Sequence, residues 1–374
     1  MLYLDHAATS PLRPVAWEAM AALAGHGLGN PSGSHRPARR AKDLLEEARE
    51  RVAAVLGCRP LEIVFTSGGT ESNALALQGR ALVGGSRGGV VTTAVEHPAV
   101  LEAARFLARL GCPLTVVGVD GTGRVDPEAV AAAVGPGTAV VSVMAANNET
   151  GAIQAVRRVA EAVRAAAPGV AVHSDAVQAL VSQPLQVAEL GVDLLTVSPH
   201  KVGGPTGVGV LFVREGTHLE PVLHGGGQEL GRRSGTHHVM GAVGAAAALE
   251  AAAAGRERLC EVVAAERASF EAGLAGIARR TIPVEASLPQ HSHLRFPGIR
   301  NETLLVRLDR VGLAASAASA CSSGAATVSH VLTAMSLSRE EARECLRFSF
   351  GWTTEPGDGA RAAAAVREAL EGLR

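Results

Sequence analysis

With 374 residues, 47% of them hydrophobic, the chain is long enough for one large domain or two unequal ones around a sizeable core. A formal net charge of -1 excludes recruitment to nucleic acid or to an anionic membrane by bulk charge. Five scattered cysteines without a C-x-x-C pair exclude a disulfide framework and a zinc site of the usual spacing, so reduced thiols in the cytoplasm are the expectation.

The opening residues do not read as a signal peptide, and none is expected. The most apolar stretch, Met240 to Gly255, is too short and too alanine-rich to span a membrane, and Glu250 interrupts it. Residues 1–10 read as a short extended segment. Pro14 sits at the start of a helix ending at Gly25. A loop through Gly29-Asn30-Pro31-Ser32 then leads into a long amphipathic helix from Pro37 to Leu56, closed by Gly57. Strand-like runs follow at Ile63–Phe65, Val90–Ala94, Leu114–Val117, Ala139–Met144, Val170–His173, Leu194–Val197 and Val208–Val213. Helical patterns at Glu71–Val83, Pro98–Leu110, Pro127–Val134 and Val156–Ala166 separate most of the earlier ones. This alternation predicts an α/β fold with a mostly parallel seven-stranded sheet and helices on both faces.

After Gly225-Gly226-Gly227 the pattern turns to alanine-rich helices from about Val239 to Arg279, broken near Gly255. A smaller α+β unit closes the chain. It has strands at His293–Phe296 and Leu346–Phe350, a helix at Glu302–Val311 and a last helix from Pro356. The expected division is an N-terminal segment, 1–15, packing with the small domain; a large ligand-binding domain, 16–255; and a small C-terminal domain, 256–374.

In such sheets ligands bind beyond the carboxyl ends of the strands, and the chemistry-bearing residues collect there. Only Lys42 and Lys201 are lysines. Lys42 belongs to a solvated helix face. Lys201 follows a strand in Ser198-Pro199-His200-Lys201, before Gly203-Gly204-Pro205, where an amine of lowered pKa near a carbonyl cofactor forms a Schiff base. Thr66-Ser67-Gly68-Gly69-Thr70-Glu71-Ser72-Asn73 joins a strand to a helix and reads as an anion site or as a plain turn. The absence of G-x-x-x-x-G-K-[ST] speaks against a nucleotide P-loop. Asp175 reads either as a helix N-cap or as a carboxylate that keeps a pyridine nitrogen protonated. His97 is a loop histidine or an aromatic stacker. Asn147-Asn148-Glu149-Thr150-Gly151 is a polar turn or a source of amide for a cofactor hydroxyl. Cradle, stacker, ring-nitrogen partner, amide and amine together are the parts that pyridoxal phosphate requires. His291-x-His293 and His237-His238 offer too few ligands for a metal and read as surface histidines.

These residues stand in one order along nearly the whole chain. The order runs from Tyr3-Leu4-Asp5-His6-Ala7-Ala8-Thr9 through the Thr66–Asn73 and Asn147–Gly151 segments and Asp175-Ala176-Val177-Gln178 to Arg233-Ser234-Gly235-Thr236 and Arg347-Phe348-Ser349. In this the sequence resembles the class V, fold-type I pyridoxal-phosphate enzymes, and within them the cysteine desulfurases of the NifS/IscS kind. The resemblance implies that Lys201 forms the Schiff base, that Asp175 pairs with the pyridine nitrogen, that Gln178 and Asn148 lie near O3′, and that His97 stacks on the ring. It implies a phosphate held by Gly69, Thr70, Ser198 and His200, joined by Thr236 from a second subunit, and hence a homodimer. Asn30 and Arg347 would bind the substrate carboxylate, a role the Arg fork suits.

Cys321, in Ala317-Ala318-Ser319-Ala320-Cys321, falls where that family carries its catalytic cysteine. Its thiolate would take the sulfur of L-cysteine and pass it, as a persulfide, to an acceptor protein. The acceptor would be an iron–sulfur scaffold or a tRNA thiolation enzyme, with a transient iron–sulfur contact at Cys321 and no stable metal. The chain departs from the family pattern at Pro199, Thr206, Leu230 and Ser322–Val328, and none of these removes a catalytic group. The expected activity is an L-cysteine desulfurase, giving L-alanine. The alternatives are selenocysteine lysis, sulfinate elimination, transamination, or a non-catalytic dimeric partner subunit.

Overall fold

A computed structural model describes residues 1–25, 27–317 and 328–373. Strand β1 (Leu2–Tyr3) precedes helices α1 (Pro14–Ala21) and α2 (Arg36–Leu56). Strands and helices then alternate: β2 (Ile63–Thr66), α3 (Gly69–Ala81), β3 (Gly89–Thr93), α4 (Pro98–Arg109), β4 (Leu114–Val117), α5 (Pro127–Ala132), β5 (Thr138–Ser142), α6 (Val156–Ala166), β6 (Ala171–Asp175), α7 (Val187–Leu190), β7 (Leu194–Val197) and β8 (Gly209–Val213). Helices α8 (Val239–Ala254) and α9 (Arg256–Gly273) lead into β9 (Arg279–Arg280), β10 (His291–Arg295), α10 (Asn301–Arg310) and β11 (Leu313–Ala314). The chain closes with α11 (His330–Ala334), α12 (Arg339–Ala342), β12 (Cys345–Ser349) and α13 (Asp358–Leu370).

All seven apolar runs are strands of one sheet, in the order β2-β8-β7-β6-β5-β3-β4. Strands β3 to β7 are parallel to one another, and β8 runs antiparallel to both β2 and β7. Residues of β2, β3, β6, β7 and β8 are buried throughout, which is why these strands read as near-continuous apolar runs rather than as alternation. The elements that the sequence did not announce are short: β9 and β11 have 2 residues each, and α7, α11 and α12 have 4 or 5. Helix α1 stops at Ala21, short of Gly25.

Small side chains set the helix packing on one flank. Helix α8 buries eleven of its 16 residues, nearly all Ala, Gly or Val, so α1 and α2 lie close against it. A Cβ on Gly244 would come within 2.6 Å of Met20. Among the described residues, no helix is long and apolar enough to cross a membrane.

A second sheet, in the order β12-β10-β9, is antiparallel. Alternation divides its faces. Leu294, Leu346 and Phe348 enter a core with Phe270, Phe296 and Phe350, with the Phe270 and Phe348 ring centroids 4.8 Å apart. His291, His293, Arg347 and Ser349 point the other way. The reading of His291 and His293 as surface residues is therefore corrected: they are 0% and 1% exposed, because β10 is covered on both faces.

Residues 4–13 bridge the two sheets. Ser349 N donates to Leu4 O at 2.7 Å, and Ala7 N donates to Ser349 Oγ at 2.8 Å. On the other side, Ser10 N donates to His200 O and Arg13 N to Gly203 O.

Candidate active site

The carboxyl ends of β2, β3, β5, β6 and β7 carry Gly68-Gly69, Glu96-His97, Asn147-Asn148, Asp175 and Ser198–Lys201. The site is built from these turns and is closed by residues 5–8 and by β12.

At the end of β2, α3 begins at Gly69 with no side chain capping it. The first-turn amides and the helix dipole there favour an anion. A Cβ on Gly69 would lie 3.2 Å from Val177 Cγ2 and 3.6 Å from Ser198 Cβ, so the bare backbone passes close to the ends of β6 and β7. Gly209 of β8 supports this turn from below: its Cβ would fall 2.4 Å from the Gly68 carbonyl carbon. Glu71 ties Ser67 N (2.8 Å) to Arg233 Nε (2.7 Å), and so joins the cradle to the segment that carries Thr236. Thr236 itself is exposed and lines a small cavity with Thr66, Ser67 and His238. Thr70 is exposed in the first turn of α3.

Asp175 ends β6. No α-helix starts there, so the N-cap reading gives way: Oδ1 accepts from Val177 N (3.0 Å), and Oδ2 accepts from Asn73 Nδ2 at 2.7 Å. Asn73 is a positioning residue that the sequence reading left without a role. The signal was there, since it sits one turn into the helix that opens with the cradle. Gln178 Nε2 donates to Ala7 O at 2.8 Å. Its Oε1, like Asn73 Oδ1, is buried with no partner among the described residues.

Lys201 Nζ donates to Ala7 O and Ala8 O at 2.7 and 2.8 Å. His200 Nδ1 lies 3.1 Å from Thr9 Oγ1, and burial together with the Lys201 charge lowers its pKa to about 4. His97 caps α4, its Nδ1 accepting from Ala99 N at 3.1 Å, which leaves Nε2 as the protonated nitrogen of the neutral ring. Burial lowers its pKa, Asp175 opposes the shift, and Lys201 and His330 add to it.

Two fully buried carboxyls flank this set. Burial pushes Glu96 up to about 8, against hydrogen bonds from Met144 N and Thr93 Oγ1 and with the help of Asp175. Glu149 is raised by burial as well, against a hydrogen bond from Ser329 and the charges of His330 and Arg347. Ser329 Oγ donates to Glu149 Oε2 at 2.6 Å, and His330 Nε2 lies 2.9 Å from Glu96 O.

Arg347 is 4% exposed. It donates through Nη2 to Asp5 Oδ1 at 2.6 Å and through Nη1 to Asn148 O at 2.7 Å. Its Nε is buried without a partner among the described residues, at a cost of about 1–3 kcal/mol for an unmet donor. Asn30 is exposed on the turn before α2, where its side-chain oxygen accepts from Ser32 N at 3.0 Å. The structure therefore brings together Lys201, Gln178 and residues 5–9, and His97 with Asp175 and Lys201. It joins Arg347 to Asn148, and Gly69 to Ser198. Asn30 makes no hydrogen bond to these groups among the described residues. Cys321 lies outside the described residues. The other cysteines, Cys58, Cys112, Cys260 and Cys345, all have thiol pKa values raised by burial, Cys58 and Cys345 to about 12. No group of three or more metal-binding side chains occurs among the described residues.

A family model described as Aminotransferase class-V matches residues 2–358. The chain is similar to the cysteine desulfurase IscS of Dictyoglomus turgidum, 39% identical over 364 residues that make up 96% of this chain and 91% of that protein. Among solved structures, a NifS-like protein superposes with a TM-score of 0.93 at 36% identity, covering 99% of both chains. SspA in complex with cysteine superposes with a TM-score of 0.82 at 31% identity, over 94% of this chain and 99% of that one.

Proposed function

The chain belongs to the class-V aminotransferase family, and on that footing we propose that it is a pyridoxal-phosphate-dependent L-cysteine desulfurase. One observation carries the reading: the chain's second lysine, Lys201, shares the carboxyl edge of the parallel sheet with an uncapped helix start and with Asp175 and His97. The residues fit the cofactor. A Cβ on Gly69 would crowd the cradle between Val177 and Ser198. Gln178 Oε1 and Asn73 Oδ1 are buried acceptors without partners among the described residues.

When bound, the cofactor supplies a protonated pyridine ring that takes up the electrons released at the substrate Cα. Asp175, oriented by Asn73 and Val177 N–H, would hold that ring nitrogen protonated. Gly69, Thr70, Ser198 and His200 would hold the phosphate, and Asn148 and Gln178 would flank O3′. Lys201 would hold the cofactor covalently, and its freed Nζ would take the Cα proton. His97 would stack on the ring and exchange a proton with the substrate thiol through Nε2, the nitrogen its cap leaves available. Arg347, joined by Asn30, would bind the carboxylate. Cys321 Sγ would accept the sulfur, leaving alanine and a Cys321 persulfide for an acceptor protein. Exposed Thr236 is read as serving a second copy of the chain in a homodimer.

The test is alanine and sulfide release from the purified holoenzyme with L-cysteine and a reductant. The reading expects both products, and expects a Cys321→Ser variant to keep the visible absorbance of the cofactor while losing persulfide formation. Normal sulfur transfer by that variant sinks the role of Cys321. A yellow protein that binds cysteine and releases neither product sinks the desulfurase reading.

A further inference from the structure

Four consecutive carbonyls on the turn that carries Lys201 are held by Ser10 and Arg13. Ser10 N donates to His200 O at 3.1 Å, and Ser10 Oγ donates to Lys201 O at 2.9 Å. Arg13 Nε donates to Val202 O at 2.7 Å, and Arg13 N donates to Gly203 O at 2.8 Å. The same run of chain supplies two acceptors for the Lys201 amine, Ala7 O and Ala8 O. Backbone and side chain of Lys201 are thus both located by residues 7–13, and whatever fixes those residues fixes the amine.

His6, at the head of this run, is 3% exposed and has no role in the desulfurase reading. Its ring meets Tyr3 edge-on, with centroids 5.1 Å apart, and lies so close to the Gly351 backbone that a Cβ there would fall 2.2 Å from Nδ1. Both ring nitrogens are paired: Nδ1 is 2.9 Å from Ser10 Oγ, and Nε2 is 3.0 Å from Thr353 Oγ1. Burial, with the Arg13 charge, lowers its pKa to about 4, so the ring is neutral and carries one N–H. The hydrogen bonds say which nitrogen carries it. A carbonyl only accepts, so the Ser10 hydroxyl proton is committed to Lys201 O. Ser10 Oγ therefore accepts from His6 Nδ1–H, and the bare Nε2 accepts from the Thr353 hydroxyl. One directed chain runs from Thr353, just past β12, through His6 and Ser10 to the Lys201 carbonyl. An apolar ring would fill the same space and could not carry this chain.

We propose that His6 is a positioning residue for Lys201, holding Ser10 on the Lys201 carbonyl and residues 7 and 8 over the amine, so that Nζ is placed for covalent capture of the cofactor. The inference rests on the reading of Lys201 as the residue that holds pyridoxal phosphate. In that capture Nζ joins the cofactor aldehyde carbon with loss of one water, a step that depends on where the amine sits. Contacts to the phosphate and the ring do not depend on it. Loss of the His6 link therefore weakens covalent capture and spares noncovalent binding.

The experiment strips the full-length protein of cofactor and measures its affinity for pyridoxal phosphate and for pyridoxamine phosphate, which has the same ring and phosphate but no aldehyde. Wild type prefers pyridoxal phosphate. His6→Leu loses that preference by about tenfold, the size of one lost hydrogen bond, and binds pyridoxamine phosphate within about twofold of wild type. His6→Asn, which keeps an N–H donor for Ser10, retains most of the preference. Ser10→Ala loses it as His6→Leu does, and makes the same comparison if His6→Leu does not fold, judged by melting. The double variant loses little more than either single one, because both cut the same chain. An unchanged preference in the variants, an equal loss for both ligands, or a loss in His6→Asn as large as in His6→Leu overturns the inference while leaving Lys201 in place. A wild type that binds the two ligands equally overturns the Lys201 reading, and the His6 inference with it.

Discussion

Glu229→Gln changes one carboxylate oxygen to an amide in the segment that carries Thr236. The two Glu229 oxygens accept from Arg49 Nη1 and Nη2 at 2.7 and 2.9 Å and from Phe65 N at 3.0 Å, and Oε1 lies 3.0 Å from His237 Nε2. The Arg49 and Glu229 side chains are 8% and 1% exposed. Burial works against the charged carboxyl. The hydrogen bonds from His237 and Arg49, the Arg49 charge and the Phe65 N–H outweigh it, and they bring its pKa from 4.5 to about 2. A depression of that size corresponds to about 3 kcal/mol of stability at neutral pH. This agrees with the ~3–5 kcal/mol lost when a buried pair is broken from one side. The variant is expected to lose about 3 kcal/mol at pH 7 in urea unfolding, or about 4 °C in Tm for a chain of this length. Because the folded pKa is depressed, this stability is present in full above about pH 4.5 and is lost as pH falls toward about 2. The gap to wild type therefore holds between pH 8 and pH 5 and narrows below. In a cycle with Arg49→Met, the double variant loses less than the sum of the single ones. A loss under ~1 kcal/mol at pH 7, or strict additivity with Arg49→Met, refutes the reasoning.

Two further substitutions test the frame of the site. Gly209→Ala puts a Cβ 2.4 Å from the Gly68 carbonyl carbon and 2.5 Å from its oxygen, so backbone must move. Cofactor loss on gel filtration is expected to speed up by more than about tenfold, with a stability change of only ~1–3 kcal/mol. Unchanged retention refutes the supporting role of β8. Glu96, whose pKa is raised to about 8, favours folding below its ordinary range and costs stability as pH rises toward 8. Thermal melts of Glu96→Gln are therefore expected to gain on wild type between pH 5 and pH 8, and a gap moving the other way refutes a buried neutral carboxyl.

Much of the fold was legible because hydrophobic runs of a doubly covered sheet are unambiguous in a sequence. Val140-Val141 and Leu194-Leu195 need no partner to be recognised as strand, and Gly57, with φ of 66°, ends α2 where a helix stop was expected. Elements of two to five residues, such as β9, β11 and α12, carry too few positions to show a period. The site was legible as residue types at strand ends. Its hydrogen bonds were not, because Lys201 with Ala7 and Ala8, Arg347 with Asp5, and Asn73 with Asp175 join residues 102 to 342 positions apart.

The sequence by itself determined the alternation of strands and helices, the glycine cradle, the chain's second lysine and the order of motifs that marks the family. These are properties of local composition, of backbone freedom and of chain order. Tertiary structure alone decided that His291 is buried against the turn at 147–151, that His97 caps α4 through Nδ1, and that residues 7 and 8 close over Lys201. Burial and pairing depend on which distant segments meet, and no local pattern of residues encodes that meeting.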